Sequence, residues 1–493
     1  MLTSELKSKI DALWQTFWAN GMSNHIVAIE HMSYLIFMKR LEDLENDRII
    51  AAKRTGKKYS SVFDGKEEMR WSIWQNYEGE KMLKHVTEKI FPFIKNMRGE
   101  ESYFTEQMKN ANFEIKSASL LQGAVNMIES MRITQQNQDV QGDIYEHLLS
   151  KLEQAGLNGQ FRTPRHIIRM MVELLDPKLY QKICDPACGS AGFLINAYQH
   201  ILKEYTSEDL IEYDEEKVPH HLIGDKLTEK ERLFLIKDQF YGFEFDNTMV
   251  RIATMNMILH GFEEPNIRNQ DTLNKSFKEK EKYHVVFANP PFAGNVNKSE
   301  ISDNFEIITT KTELLFLELF YNLLMKGGQA AVIVPDGALT SVSTAHVNIR
   351  QMMLENCRVD AIVSMPSGVF KPYTGVSTSV ILFTKGEKTK DIWFYRMEND
   401  GYALDEKRIK IEKNDIPDII EKFKKREISE KSWIVTFDEI KNNDWNISAS
   451  RYRPYVKVEV KHEDPKKIMN EILKLEDDID IKLKELKDIL KNA

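Results

Sequence analysis

The sequence predicts a doubly wound α/β domain between a helical N-terminal region and an amphipathic C-terminal helix. Three observations predict it. From Lys182 onward, short apolar runs alternate with amphipathic helical stretches, the pattern of a mostly parallel sheet covered on both faces. Up to about residue 150, apolar residues recur only at helical spacing. Near the end of the chain, Ile468, Ile472, Leu475, Ile479, Leu483, Leu486 and Leu490 recur every three or four positions among charged residues.

A chain of 493 residues exceeds one core, and the pattern divides it into a helical domain at 1–150, an α/β domain at 151–400 and a C-terminal region at 401–493. With 42% hydrophobic and 29% charged residues, the composition is that of a folded globular protein and excludes a collagen-like or disordered chain. Three cysteines are too few for a disulfide framework, and Cys184 with Cys188 lacks a second pair for a zinc site, so no metal is expected. A reducing cytoplasm fits this usage. No segment reaches the roughly 20 apolar residues that a bilayer span needs. The net charge of -8 gives no basic footprint, so any action on DNA requires local patches or a partner to supply phosphate attraction.

In the helical region Leu13, Trp14, Phe17 and Trp18, then Ile26, Ile29, Tyr34, Leu35, Phe37 and Leu41, mark buried faces. The polar stretch AAKRTGKKYSSVFDGKEE is expected to be a loop, with Lys53, Arg54, Lys57 and Lys58 as its solvated basic start. Asp143 to Leu157 gives another helix. Thr163 before Pro164 predicts a helix start, with a hydroxyl N-cap and a proline at the first helical position. Strands follow at Lys182 to Cys184, Phe240 to Phe245, Val285 to Ala288, Ala330 to Val334, Ala361 to Met365 and Thr378 to Phe383. The last two are joined by SGVFKPYTGVS, too irregular for a helical crossover, so one antiparallel strand is expected at that edge. The charged insertion from Thr206 to Lys237 reads as a surface excursion, with His220 and His221 facing solvent.

Candidate chemistry gathers where strands end. Tyr283 to Ala288 is a buried strand stopped by Asn289-Pro290-Pro291-Phe292, because neither proline can donate to a ladder. In open α/β sheets that edge is where ligands bind. The Asn289 side-chain carbonyl and the Pro290 backbone carbonyl can accept two hydrogen bonds from one amino group, directing its nitrogen lone pair at an electrophile without a strong base. Phe292 offers a ring for a flat base, which must leave a duplex to reach it. DPACGSAGFL places Asp185 at a strand end before a turn that Gly189 and Gly192 open to a close ligand. It is not a dinucleotide fingerprint, and a carboxylate there suits a cationic or hydroxyl-bearing ligand. Glu244, in YGFEFD, can accept both hydroxyls of a ribose, and Asp271, in RNQDTL, can accept an exocyclic amine.

In this order, GQFRTPR, DPACGSAGFL, GFEFD, QDTL and NPPF resemble the adenine-N6 branch of the S-adenosylmethionine-dependent DNA amino-methyltransferases. GDIYEHLLSKL, GVFKPYTGVSTSVILF and the helical N-terminal region narrow the resemblance to modification subunits of type I restriction-modification systems, over nearly the whole chain. The resemblance implies a Rossmann-like methyltransferase sheet. It implies that Gln160, Phe161, Arg162, Thr163, Pro164, Arg165, Asp185, Gly189, Ser190, Ala191 and Glu244 surround S-adenosylmethionine, with Asp271 near the cofactor's adenine. Asn289, Pro290, Pro291 and Phe292 would hold the flipped adenine. Arg162 stands where many relatives carry an aromatic residue. The family also implies DNA as substrate, a separate specificity subunit flanked by two modification subunits, and a restriction subunit. The terminal helix, Lys466 to Lys491, is then expected to pair with a partner.

Cytosine N4 remains open as an acceptor at this point, because any flipped base with an exocyclic amine satisfies Asn289. A solitary methyltransferase would need its own recognition domain of roughly 100 residues, for which the chain has no room. A non-catalytic scaffold is the reading of another class, and the intact NPPF and cofactor motifs oppose it.

Overall fold

The computed structural model describes the chain apart from residues 1–2, 23, 57, 98, 100–101, 134–143, 145–146, 149–162, 215–216, 373, 455–464 and 492–493. It divides into two compact units, Met1–Tyr452 and Arg453–Ala493. The helix expected from Asp143 to Leu157 lies mostly outside the described residues.

Short polar side chains set the first helix starts: Thr3 accepts the Leu6 N–H, and Asn24 accepts those of Ile26 and Val27. The second helix, His25–Thr55, takes in Lys53 and Arg54, which the sequence placed in a loop. Exposed charge does not break a helix. Gly56 does, at φ 68°. The helical core holds Leu13, Phe17, Tyr34, Phe37, Trp71 and Trp74. It also takes Met249, Ile252 and Met255 from the helix Asn247–Leu259, whose Val250, Ala253 and Met257 face the core beneath the sheet. One helix therefore serves both layers. Its Arg251 Nε donates to Glu30 Oε1 at 2.5 Å, and the Tyr34 hydroxyl donates to the same oxygen at 2.6 Å.

Thirteen strands are described: β1 (Ile183–Asp185), β2 (Glu212–Tyr213), β3 (Pro219–His220), β4 (Phe240–Glu244), β5 (Asn266–Asn269), β6 (Tyr283–Ala288), β7 (Leu324–Pro335), β8 (Cys357–Met365), β9 (Thr378–Lys385), β10 (Asp391–Arg396), β11 (Asp400–Tyr402), β12 (Lys410–Asn414) and β13 (Ser432–Thr436). Nine form one sheet in the order β13-β10-β8-β9-β7-β6-β1-β4-β5. Along β6, Val285 and Phe287 enter one apolar core while Val286 and Ala288 enter the other, so both faces are covered. Most pairs are parallel. The antiparallel strand after SGVFKPYTGVS is present as β9, but it lies inside the sheet, between β7 and β8. The expected edge is extended by β10 and by β13, which is also antiparallel. The sheet thus continues past residue 400, and Tyr452 is still buried in its core. The insertion after Thr206 forms the β2–β3 hairpin and a helix, Glu229–Lys237, closed at its start by a Thr228–Glu231 capping box. His220 pairs with Asp214 at 3.1 Å rather than standing free in solvent.

No described helix is long and apolar enough to cross a membrane. The second unit is the helix Pro465–Lys491, on which Ile468, Ile472, Leu475, Ile479 and Leu483 are exposed.

Candidate active site

Of the predicted residues, Asp185, Glu244, Asp271 and Asn289 lie at the carboxyl ends of β1, β4, β5 and β6. Asp185 closes β1 and is 1% exposed, with its Oδ1 accepting the Ala187 N–H at 3.1 Å. Burial pushes its carboxyl up to about 8; the Ala187 N–H opposes the rise and the nearby Glu244 carboxylate adds to it. Glu244 closes β4. Its two oxygens accept the backbone N–H groups of Gly189, at 3.0 Å, and Asp246, at 2.9 Å, and burial raises its pKa as well. Among the described residues neither carboxylate has an ion-pair partner.

Between them lies a tight turn. Gly189 and Ala191 both adopt left-handed conformations, at φ 51° and 66°. For Ala191 this is a strained state, held by the surrounding structure. Asn256, buried on the helix Asn247–Leu259, donates to the Ser190 carbonyl at 2.8 Å. Gly242 lies under the turn, where a Cβ would come within 2.5 Å of Ile267 Cδ1 and 3.0 Å of Cys188 Sγ. Asp271 turns its own loop by accepting the Leu273 N–H at 3.0 Å, and Thr272 ties that loop to the Pro186 carbonyl at 3.1 Å.

The segment Thr163 to Arg165 leads into a helix that packs beside the turn. This is the helix Arg165–Leu175, whose Ile168 packs 3.1 Å from the Cβ position of Gly192 at the start of the next helix. The expected cap is displaced by one residue: Pro164 is the N-cap, and no side chain caps this helix. Thr163 is buried instead. Gln160, Phe161 and Arg162 lie outside the described residues.

Asn289 follows β6, the strand beside β1, with Cys184 opposite Val286. Its Oδ1 and Nδ2 are both buried and, among the described residues, have no hydrogen-bond partner. Leaving such groups unpaired costs about 1–3 kcal/mol each, which structure alone does not repay. Pro290 is buried and Pro291 exposed. Phe292, 9% exposed, meets the Phe370 ring edge-on at 5.7 Å and 85°. Among the described residues, the site therefore joins two carboxyl groups without an ion-pair partner to a neutral amide without a hydrogen-bond partner. The first half suits a ligand carrying hydroxyls and positive charge, and the second a flat group with an amine.

Three residues here escaped the sequence reading. Phe245, beside Glu244, is 74% exposed and offers an aromatic face at the carboxylate edge; its place in GFEFD could have shown it. Phe370 and Asn256 carried no local signal, since only tertiary contact brings them to the site.

Two family models match the chain: the HsdM N-terminal domain at residues 6–128 and N-6 DNA Methylase at 136–463. The methylase subunit of the type I restriction enzyme EcoEI from Escherichia coli is 30% identical over 516 residues, covering 99% of this chain and 97% of that one. The EcoKI methylase subunit of Escherichia coli strain K12 is 33% identical over 275 residues, 52% of this chain and 48% of that one. A chain solved in work on complex assembly and conformational transition of the type I restriction-modification system superimposes with a TM-score of 0.70 at 25% identity, covering 99% of each chain. A modification subunit assigned to a type I restriction enzyme of Vibrio vulnificus YJ016 shares the fold, with a TM-score of 0.73 at 23% identity over 89% of this chain and 94% of that one. The cytosine-N4, solitary and non-catalytic readings fall away: the chain belongs to the N-6 DNA methylase family, as a type I restriction-modification methylase subunit that methylates adenine N6 in DNA within an assembly of subunits.

Proposed function

We propose that Gln160 to Arg165, Asp185, Gly189 to Ala191, Glu244 and Asp271 hold S-adenosylmethionine, and that Asn289 to Phe292 hold the target adenine outside the duplex. The Asn289 amide carries this reading: two buried, unpartnered polar atoms stand at the sheet edge that bears the uncompensated carboxylates. When bound, S-adenosylmethionine supplies an electrophilic methyl on a positively charged sulfur. Asp185, protonated at neutral pH while alone, gives up its proton as positive charge arrives. Glu244 keeps the Gly189 turn in place with one lone pair of each oxygen and retains the others for ribose hydroxyls. Asn289 Oδ1 and the Pro290 carbonyl accept the two hydrogens of the adenine amine and align its lone pair. No side chain need act as a strong base, because the methylated amine loses its proton readily. Phe292 stacks on the base, with Phe370 bracing it edge-on.

The test is Asn289→Ala and Phe292→Ala in the assembled enzyme. Asn289→Ala should lower single-turnover transfer by at least about a hundredfold, and both variants should leave cofactor affinity within about twofold. Full transfer in both variants overturns the assignment.

We infer a separate specificity subunit with two modification subunits flanking it and a restriction subunit joining, in the cytoplasm; the net charge of -8 supports only that a partner supplies much of the attraction to DNA. The exposed apolar stripe on Pro465–Lys491 is the proposed contact with that partner. Truncation at about Pro465 should abolish co-purification with a specificity subunit while cofactor binding persists. An unchanged complex rules the contact out.

A further inference from the structure

The loop after Phe292 stays at the site. Its two ends are tied together: Val296 N–H donates to the Thr310 carbonyl at 2.9 Å, Thr312 N–H donates to the Gly294 carbonyl at 3.2 Å, and Asn295 bridges Lys311. Its middle is fastened to the Asp271 loop, where Ser302 N–H donates to the Leu273 carbonyl at 3.0 Å and Lys275 N–H donates to the Glu300 carbonyl at 2.8 Å. On the returning arm stands Ile308, at 88% the most exposed large apolar side chain among the described residues.

The arm is held in place from below. Glu318, 3% exposed on the helix Thr312–Leu323, accepts the N–H groups of Glu306 at 2.5 Å and Ile307 at 3.2 Å. Burying a carboxylate is costly, and a merely solvated loop gains nothing from it. Here it fixes the backbone immediately before an isoleucine directed at water. Two further exposed aliphatics stand on connections that the topology brings to this edge. Val342, 83% exposed, follows the helix that continues from the end of β7, the neighbour of β6. Val376, 48% exposed, precedes β9, whose Thr378 pairs with Pro335 at that same end.

We propose that Ile308 is a wedge that enters the base stack as the target adenine leaves it, with Val342 and Val376 forming an apolar rim against the flanking nucleotides. The proposal rests on the reading that Asn289 to Phe292 hold an extruded base. Extrusion costs a few kcal/mol of stacking and pairing, and an aliphatic side chain inserted at the step recovers part of it. Isoleucine suits the task because its β-branch stiffens χ1, and the pinned arm spares the entropy of ordering a loose loop on binding. The contact reads no base edge, which fits a subunit whose sequence choice is made elsewhere.

The experiment uses the assembled enzyme and a duplex carrying 2-aminopurine at the target adenine for fluorescence, with adenine itself for transfer. Ile308→Ser should abolish the fluorescence rise on binding and slow single-turnover methylation roughly tenfold, with cofactor affinity, melting temperature and subunit assembly unchanged. Ile308→Leu should restore both signals. Placing the target adenine opposite an abasic site, where extrusion costs less, should bring Ile308→Ser to within about twofold of the parent enzyme. A fluorescence rise and normal transfer in Ile308→Ser overturn the wedge, as does a defect that the abasic duplex leaves untouched or that appears as lost assembly. Absence of a rise both in the parent enzyme and in Phe292→Ala, where no stacked ring can quench the extruded base, would instead overturn the extruded-base reading beneath it.

Discussion

The two halves of the site are built on opposite principles. Around Asp185 and Glu244 the groups are carboxyls, titratable and already hydrogen-bonded to the backbone of the turn they enclose. Around Asn289 the polar group is neutral, and among the described residues its hydrogen-bonding capacity is unspent. The carboxylate half uses electrostatics to favour a cation, so its deficits should yield to higher ligand concentration. The amide half positions a weak nucleophile, so its deficits should persist at saturation.

Glu244→Ala should disable the carboxylate half most severely. Each hydrogen bond to a charged group contributes about 1.5–3 kcal/mol, and Glu244 makes two to the turn as well as the proposed ones to ribose. Cofactor affinity should fall by about a hundredfold, with transfer largely recovered at saturating cofactor. If the maximal rate falls and affinity does not, the division of labour between the halves is wrong.

Both halves were legible in the sequence, for a physical reason. An acidic residue at the end of an apolar run declares both its strand and its edge, so Asp185 and Glu244 could be located from local pattern. Asn289 was equally visible because two prolines must end β6. What could not be read was non-local. The place of β9 inside the sheet depends on pairing with β7 and β8, neither of which its own residues specify. Short β10 and β13 are embedded in charged sequence that hides their period. The cap at Thr163 failed because that hydroxyl is buried by tertiary packing rather than spent on the helix.

The pH dependence of Asp185 separates the two halves by a smaller effect. Asp185 has its folded value raised to about 8, so between the ordinary Asp value of about 4 and that point the folded protein holds a proton that the unfolded chain has lost. Its contribution to stability therefore declines as pH rises through this window. Binding of a cationic cofactor runs the other way: it requires the ionised carboxylate, so affinity should rise by up to about tenfold per pH unit and level off near pH 8. Asp185→Asn should flatten the Asp185 share of both slopes. Titration of cofactor binding and thermal melting from pH 6 to 9 would check both, and an unaltered affinity slope in Asp185→Asn would remove Asp185 from the site.

The smallest expected effect belongs to Phe245, which tests whether anything beyond charge holds the ligand in the carboxylate half. Its ring is 74% exposed one residue after Glu244, with no aromatic partner among the described residues, so removing it should scarcely alter stability. If the ring covers the cofactor's adenine, Phe245→Ala should weaken cofactor binding by about fivefold, the scale of one stacking contact of roughly 1 kcal/mol. Phe245→Tyr should keep the affinity, and the loss in Phe245→Ala should be the same at pH 6 and pH 8, because a stacked ring does not titrate. A loss that grew with pH would mean that Phe245 acts through the ionisation of Asp185 or Glu244, and the two halves would then differ in charge alone.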